Sequence, residues 1–103
     1  MMDNKSTFER VQEFLIFYWG TGLGDSDIRE MLRRNYQMFP QAIPAEIAAA
    51  KLLLETSHYD QALLHTIAWD VNHRMLEETP AGARQWLKEK IRFTEEAIGS
   101  ANP

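Results

Sequence analysis

Ser6-Thr7-Phe8-Glu9-Arg10-Val11-Gln12-Glu13-Phe14-Leu15-Ile16-Phe17-Tyr18-Trp19-Gly20 carries both the start and the stop of a helix. Ser6 and Glu9 have capping-box spacing: the hydroxyl can accept from the Glu9 N–H while the Glu9 carboxylate reaches back to the Ser6 N–H. Phe8, Val11, Phe14, Leu15 and Tyr18 recur every three or four residues and form one apolar stripe, which Gly20 and Gly22 bring to an end. Ile16 and Phe17 fall off that stripe and are read as buried by a second neighbour or else as part of a partner surface. The run from Phe14 to Trp19 is far shorter than the roughly 20 residues needed to cross a bilayer, so no membrane span is expected.

Outward from this segment the same period continues. Asp25 or Ser26 is placed to cap a second helix with its stripe at Ile28, Met31, Leu32, Tyr36 and Phe39, closed by Pro40. Pro44 occupies a first-turn position of a third helix, where Ile47, Ala50 and Leu54 make the main stripe and Leu52 and Leu53 flank it. That helix reads as the central element, buried on more than one side. Ser57-His58-Tyr59-Asp60 repeats the start signal, and Leu63, Leu64, Ile67, Val71 and Met75 define a long fourth helix with Trp69 and Leu76 on a second apolar seam. Thr79-Pro80 opens a fifth, with Ala83, Trp86, Leu87, Ile91, Thr94 and Ile98 facing inward and Gly99 at its end. No segment alternates as a strand does. The expected fold is all-α, a compact bundle of about five helices in a single domain over residues 6–99, with residues 1–5 a disordered N-terminus and residues 100–103 a tail.

Composition narrows the function. The chain has 103 residues, 45% hydrophobic and 25% charged, which fits one small globular domain and leaves no room for a second core. Eleven Lys and Arg against fifteen Asp and Glu give a net charge of -4, opposite to the footprint of a nucleic-acid binder. A basic protein partner is the better match. The chain contains no cysteine, so it offers neither a thiolate nucleophile nor a disulfide, and a reducing, cytoplasmic setting is expected. The N-terminal stretch lacks the pattern of a secretory signal.

The residues that could carry chemistry have simpler roles. Gly20-Thr21-Gly22-Leu23-Gly24 resembles a phosphate loop, but it follows a helix, lacks the P-loop lysine and leads into Asp25 and Asp27. It reads as a flexible turn, and no nucleotide or other cofactor is expected. His58 and His65 lie about 10 Å apart along a helix, too far to share an ion, and Asp70 with His73 supplies only two ligands. No metal site is expected. Ser57, His58 and Asp60 hold triad residue types without the tertiary convergence that catalysis needs, and the pairs Glu77-Glu78 and Glu95-Glu96 read as solvated charge. The chain is therefore not expected to be an enzyme, nor to take a small-molecule substrate. Arg29, Arg33 and Arg34 could touch phosphate in a helix-turn-helix arrangement, yet Glu30 lies among them and no other basic cluster exists.

Taken in order, several of these features resemble the small helical immunity proteins of bacterial contact-dependent growth inhibition systems. They are the aromatic-rich segment Phe14 to Trp19, the acidic turn before Ile28, the apolar helix Ile47 to Leu54, the start at Asp60 to Leu63, and Ala81-Gly82-Ala83-Arg84-Gln85-Trp86-Leu87. The resemblance covers roughly residues 8–98. It implies a protein that binds a cognate toxin domain, often a basic nuclease, and blocks its active site, with no catalytic residues of its own. The candidate toxin-binding residues are Asp25, Asp27, Asp70, Glu77 and Glu78, with Phe17 and Trp19 as aromatic anchors. A helical adaptor or regulator is the alternative, and a small DNA-binding regulator a third.

Overall fold

The computed structural model describes residues 6–72, 75 and 77–99. The readings of residues 1–5 and 100–103, and of His73 and Leu76, fall outside that set. Among the described residues there are five α-helices and no strand: α1 Thr7–Trp19, α2 Asp25–Met38, α3 Ala42–Leu53, α4 Asp60–His65, which runs on as a π-helical turn Thr66–Asp70, and α5 Pro80–Gly99.

The cap of α1 is the reciprocal pair expected from its sequence: Ser6 N–H donates to Glu9 Oε1 at 3.0 Å and Glu9 N–H donates to Ser6 Oγ at 3.1 Å. At the other end the Gly20 N–H closes on Ile16 O at 2.9 Å. Thr21 Oγ1 then donates to Tyr18 O and accepts from Leu23 N–H, and Gly22 takes a φ of +79°, which a residue with a Cβ adopts only at a cost. The glycine-rich segment is thus a tied connection between helices. Gly24, in extended geometry, is the N-cap of α2 in place of Asp25 or Ser26. Asp25 and Asp27 lie in the first turn, where the helix dipole favours negative charge.

The core differs from the sequence reading in three places. Ile43, Ile47, Ala50 and Leu53 bury one face of α3 against its neighbours, but Ala45, Ala48 and Leu52 on the other side are exposed. The organising element is α5, which touches α2, α3 and α4 along its 20 residues. Phe39 leaves the α2 stripe because it is the C-cap, with φ -136° and ψ 78°. A proline follows it, and the ring Cδ disfavours helical geometry in the preceding residue.

The fourth helix is the largest departure. After six α-helical residues the Val71 N–H bonds to Thr66 O at 2.9 Å, five residues back, and Asn72 takes a φ of 59°. Leu63, Ile67 and Val71 are buried, and Trp69, on the opposite side, is exposed. The second apolar seam does not form. Nor does Ser57 cap this helix, which starts at Asp60 with Tyr59 as its N-cap. Arg84 Nη1 on α5 donates to Asp60 Oδ1 and to Thr56 O, both at 3.0 Å, and its Nη2 donates to Leu54 O. One guanidinium therefore holds the α3–α4 connection against α5.

Thr79 caps α5 through Gly82 N–H at 3.0 Å, and its hydroxyl donates to Glu77 Oε2 at 2.8 Å. A Cβ at position 82 would run into the Glu77 carbonyl, which explains the glycine ahead of Trp86-Leu87. Gly82→Ala should therefore lower stability by roughly 1–3 kcal/mol, the usual range for overpacking. Helix propensity alone would raise stability by about 1 kcal/mol, so the sign of the change in urea denaturation separates the two effects.

Candidate protein-binding groove

Residues that fit no core stripe assemble on one side of the bundle, where the end of α1, the end of α2 and the start of α3 meet. A groove of about 470 Å³ opens there. Phe14, Tyr18 and Ile43, all buried, form its floor, and Phe17 and Phe39 form its walls with 56% and 60% of their surfaces exposed. The Phe17 ring stands edge-on to Tyr18, with centroids 4.8 Å apart at 87°, which limits its freedom before anything binds. Met38, the next residue to Phe39, is also exposed. Single exposed apolar residues need no explanation, but three beside one concavity make this the candidate binding surface.

The polar groups of the groove are few. Glu13 and Glu46 line it, and Glu46 is held by Arg10 at 3.5 Å. Asn35 Nδ2 donates to Tyr18 Oη at 2.7 Å. Burial pushes the Tyr18 phenol above its ordinary value of 10.0, and the negative charge of Glu46 pushes the same way against the Asn35 hydrogen bond. The folded state thus holds this proton more tightly than the unfolded chain does. Its contribution to stability is complete below pH 10 and is lost as the pH rises from there toward the folded-state value. Thermal melts across the alkaline range should accordingly fall more steeply for the native chain than for Tyr18→Phe.

Of the sequence-derived candidates, Phe17 is exposed and lines the groove. Its expected burial by a second neighbour does not occur, nor does that of Ile16. Trp19 is corrected: it is 1% exposed and its ring packs against Phe14, Trp86 and Phe93. Eight residues after Val11 and four after Leu15, it lies on the buried stripe of α1 and cannot anchor a partner. The five carboxylates occupy three separate places. Asp25 and Asp27 start α2, which meets α5 where Arg29 covers the Phe93 ring. Glu77 and Glu78 precede α5, about 20 Å along its axis from Phe93. Asp70 ends the π turn and accepts from Gln12 Nε2 at 3.2 Å.

Phe39 and Met38 are the functional candidates that periodicity misses. The signal was the dipeptide Phe39-Pro40, which forces the phenylalanine out of the helix just where the stripe would have buried it. The other motifs resolve into structural roles. Arg34 pairs with Glu30 at 3.7 Å on its own helix, and Arg29 stacks on Phe93 of α5. Among the described residues no three of His, Asp and Glu gather closely enough to hold a metal ion, and no helix is long and apolar enough to cross a membrane. Comparison of the chain with protein-family models, with curated proteins and with solved structures finds no match to any of them.

Proposed function

We propose that this protein acts by binding another protein in the α1–α2–α3 groove, and that the partner is the cognate toxin domain of a contact-dependent growth inhibition system. The observation that carries the binding role is the pair of exposed phenylalanines, Phe17 and Phe39, that line one largely apolar groove. Aromatic anchors in a concave, desolvated patch are where binding energy concentrates in protein interfaces. The sequence resemblance supplies the partner class, and the net charge of -4 fits a basic toxin such as a nuclease. Blocking the toxin's active site in the cytoplasm of the protected cell completes the reading, in which the protein performs no chemistry itself.

The division of labour is then physical. Carboxylates outside the groove, Asp25, Asp27, Asp70, Glu77 and Glu78 among them, raise the rate of encounter, while Phe17 and Phe39 slow dissociation. Stopped-flow association with a purified candidate toxin domain of such a system tests that division. Reversing Glu77 and Glu78 to lysine should slow association and flatten its dependence on salt, with dissociation nearly unchanged. Equal loss in both rate constants would place those residues inside the interface, and no detectable binding by the native protein would move the assignment to the adaptor reading.

A further inference from the structure

The make-up of the groove restricts what can fill it. Its charged lining is of one sign: Glu13 on α1 and Glu46 on α3 both line it, and no lining side chain is basic. Arg10, which holds Glu46 at 3.5 Å, is not part of the lining. Glu46 is also close enough for its charge to act on the Tyr18 phenol in the floor. Apart from Tyr18 and Asn35, the remaining lining is apolar.

Tyr18 adds a directional feature. The residue is 5% exposed, and its hydroxyl accepts from Asn35 Nδ2 at 2.7 Å. A phenol can donate as well as accept, and among the described residues nothing accepts the Tyr18 proton. An occupant that covers this donor without supplying an acceptor is therefore disfavoured. A carboxylate is a poor acceptor here, because it would come up against Glu13 and Glu46. A neutral carbonyl has no such conflict, and a peptide carries one at every residue. A second copy of this chain is the wrong occupant on the same ground, since a two-fold interface sets the same patch on both sides and doubles the carboxylates within it.

We infer that the groove takes a peptide segment of its partner in which one apolar side chain is flanked by basic ones. The apolar side chain packs against Phe17 and Phe39, a backbone carbonyl accepts from the Tyr18 hydroxyl, and the flanking cations lie toward Glu13 and Glu46. The inference rests on the groove being the binding site and does not require the partner to be a toxin.

The test is a titration of the full chain, followed by heteronuclear NMR, with end-capped heptapeptides that carry Lys-Leu-Lys, Glu-Leu-Glu or Lys-Ser-Lys between paired glycines. The Lys-Leu-Lys peptide should shift the backbone amides of Phe17 and Phe39 and the side-chain amide of Asn35 saturably. The Glu-Leu-Glu peptide should bind at least about fivefold more weakly, and the Lys-Ser-Lys peptide should give no saturable shift. Tyr18→Phe, which keeps the ring and removes the donor, should weaken Lys-Leu-Lys binding about three- to tenfold. Glu13→Gln/Glu46→Gln should bring the Lys-Leu-Lys and Glu-Leu-Glu affinities within about twofold of each other at physiological ionic strength. Trp69→Ala, exposed and away from the groove, should bind as the native chain does. No saturable shift with the Lys-Leu-Lys peptide, equal binding of Glu-Leu-Glu, an unaltered preference in the double glutamine variant, or native affinity in Tyr18→Phe would overturn the inference. Groove amides that move on dilution of the chain alone would assign the face to a second copy and overturn it as well. Equal binding of the two leucine peptides that is lost in Phe17→Ala/Phe39→Ala would remove only this inference, whereas binding that survives that double variant would strike the groove itself.

Discussion

Trp19→Ala should lower the free energy of unfolding by about 3–5 kcal/mol, the range for deleting a large aromatic from a packed core. A domain of this kind is held by only roughly 5–15 kcal/mol, so urea denaturation should show a large fall in midpoint, and the variant should border on unfolding at physiological temperature. The size of the effect follows from where the ring sits. It closes the end of α1 against two turns of α5 through Trp86 and Phe93, with Phe14 completing the contact and the Lys90 ammonium 6.0 Å from the ring centre. Its indole N–H is buried without an acceptor. Leaving a donor unpaired costs about 1–3 kcal/mol, so Trp19→Phe, which keeps much of the ring and removes the N–H, should be far milder than its area loss implies. A phenylalanine variant as damaged as the alanine one would contradict this, showing that the position needs the whole indole or that its N–H has a partner.

Phe17→Ala together with Phe39→Ala should have the opposite profile. Both side chains are more than half exposed, so their removal should change the unfolding free energy by less than about 1 kcal/mol, within the usual range for surface positions. Binding of the cognate toxin domain should weaken at least about a hundredfold, since truncating a central anchor costs about 2 kcal/mol or more and two anchors share this groove. The loss should appear mainly in the dissociation rate, because the distant carboxylates that steer encounter are intact. A comparison with Leu52→Ala, also exposed but on the far face of α3, separates loss of a specific anchor from loss of general surface hydrophobicity.

Much of the fold was legible because each start signal and stripe is local. The α1 cap, the Thr79 cap and the Ile28/Leu32 pair needed only neighbours within four residues. What could not be read depended on residues far apart in sequence. Asp60, the first residue of α4 rather than its capping-box partner, pairs with Arg84, 24 residues on, and Thr66 at the start of the π turn is held from α1 by Gln12, 54 residues away. The candidate site divided in the same way. Phe17 was visible as an aromatic off its stripe, and Phe39 was hidden by a stripe it leaves only because of Pro40. Trp19 and Trp69 exchanged roles: the one expected to be an exposed anchor is in the core, and the one expected on a buried seam is the most exposed large apolar side chain described. Trp19 was legible from the period of its own stripe, whereas the exposure of Trp69 depended on whether a neighbouring element covers that side of the helix.

The central proposal, that this protein neutralises a toxin by occupying it through the Phe17–Phe39 groove, is tested most directly by survival of cells expressing the cognate toxin domain that the proposal requires. Co-expression of the native protein should restore growth, Trp69→Ala should retain most of that protection, and the Phe17→Ala/Phe39→Ala variant, folded and equally abundant, should fail to protect. Cells that die equally with and without the native protein would contradict the account.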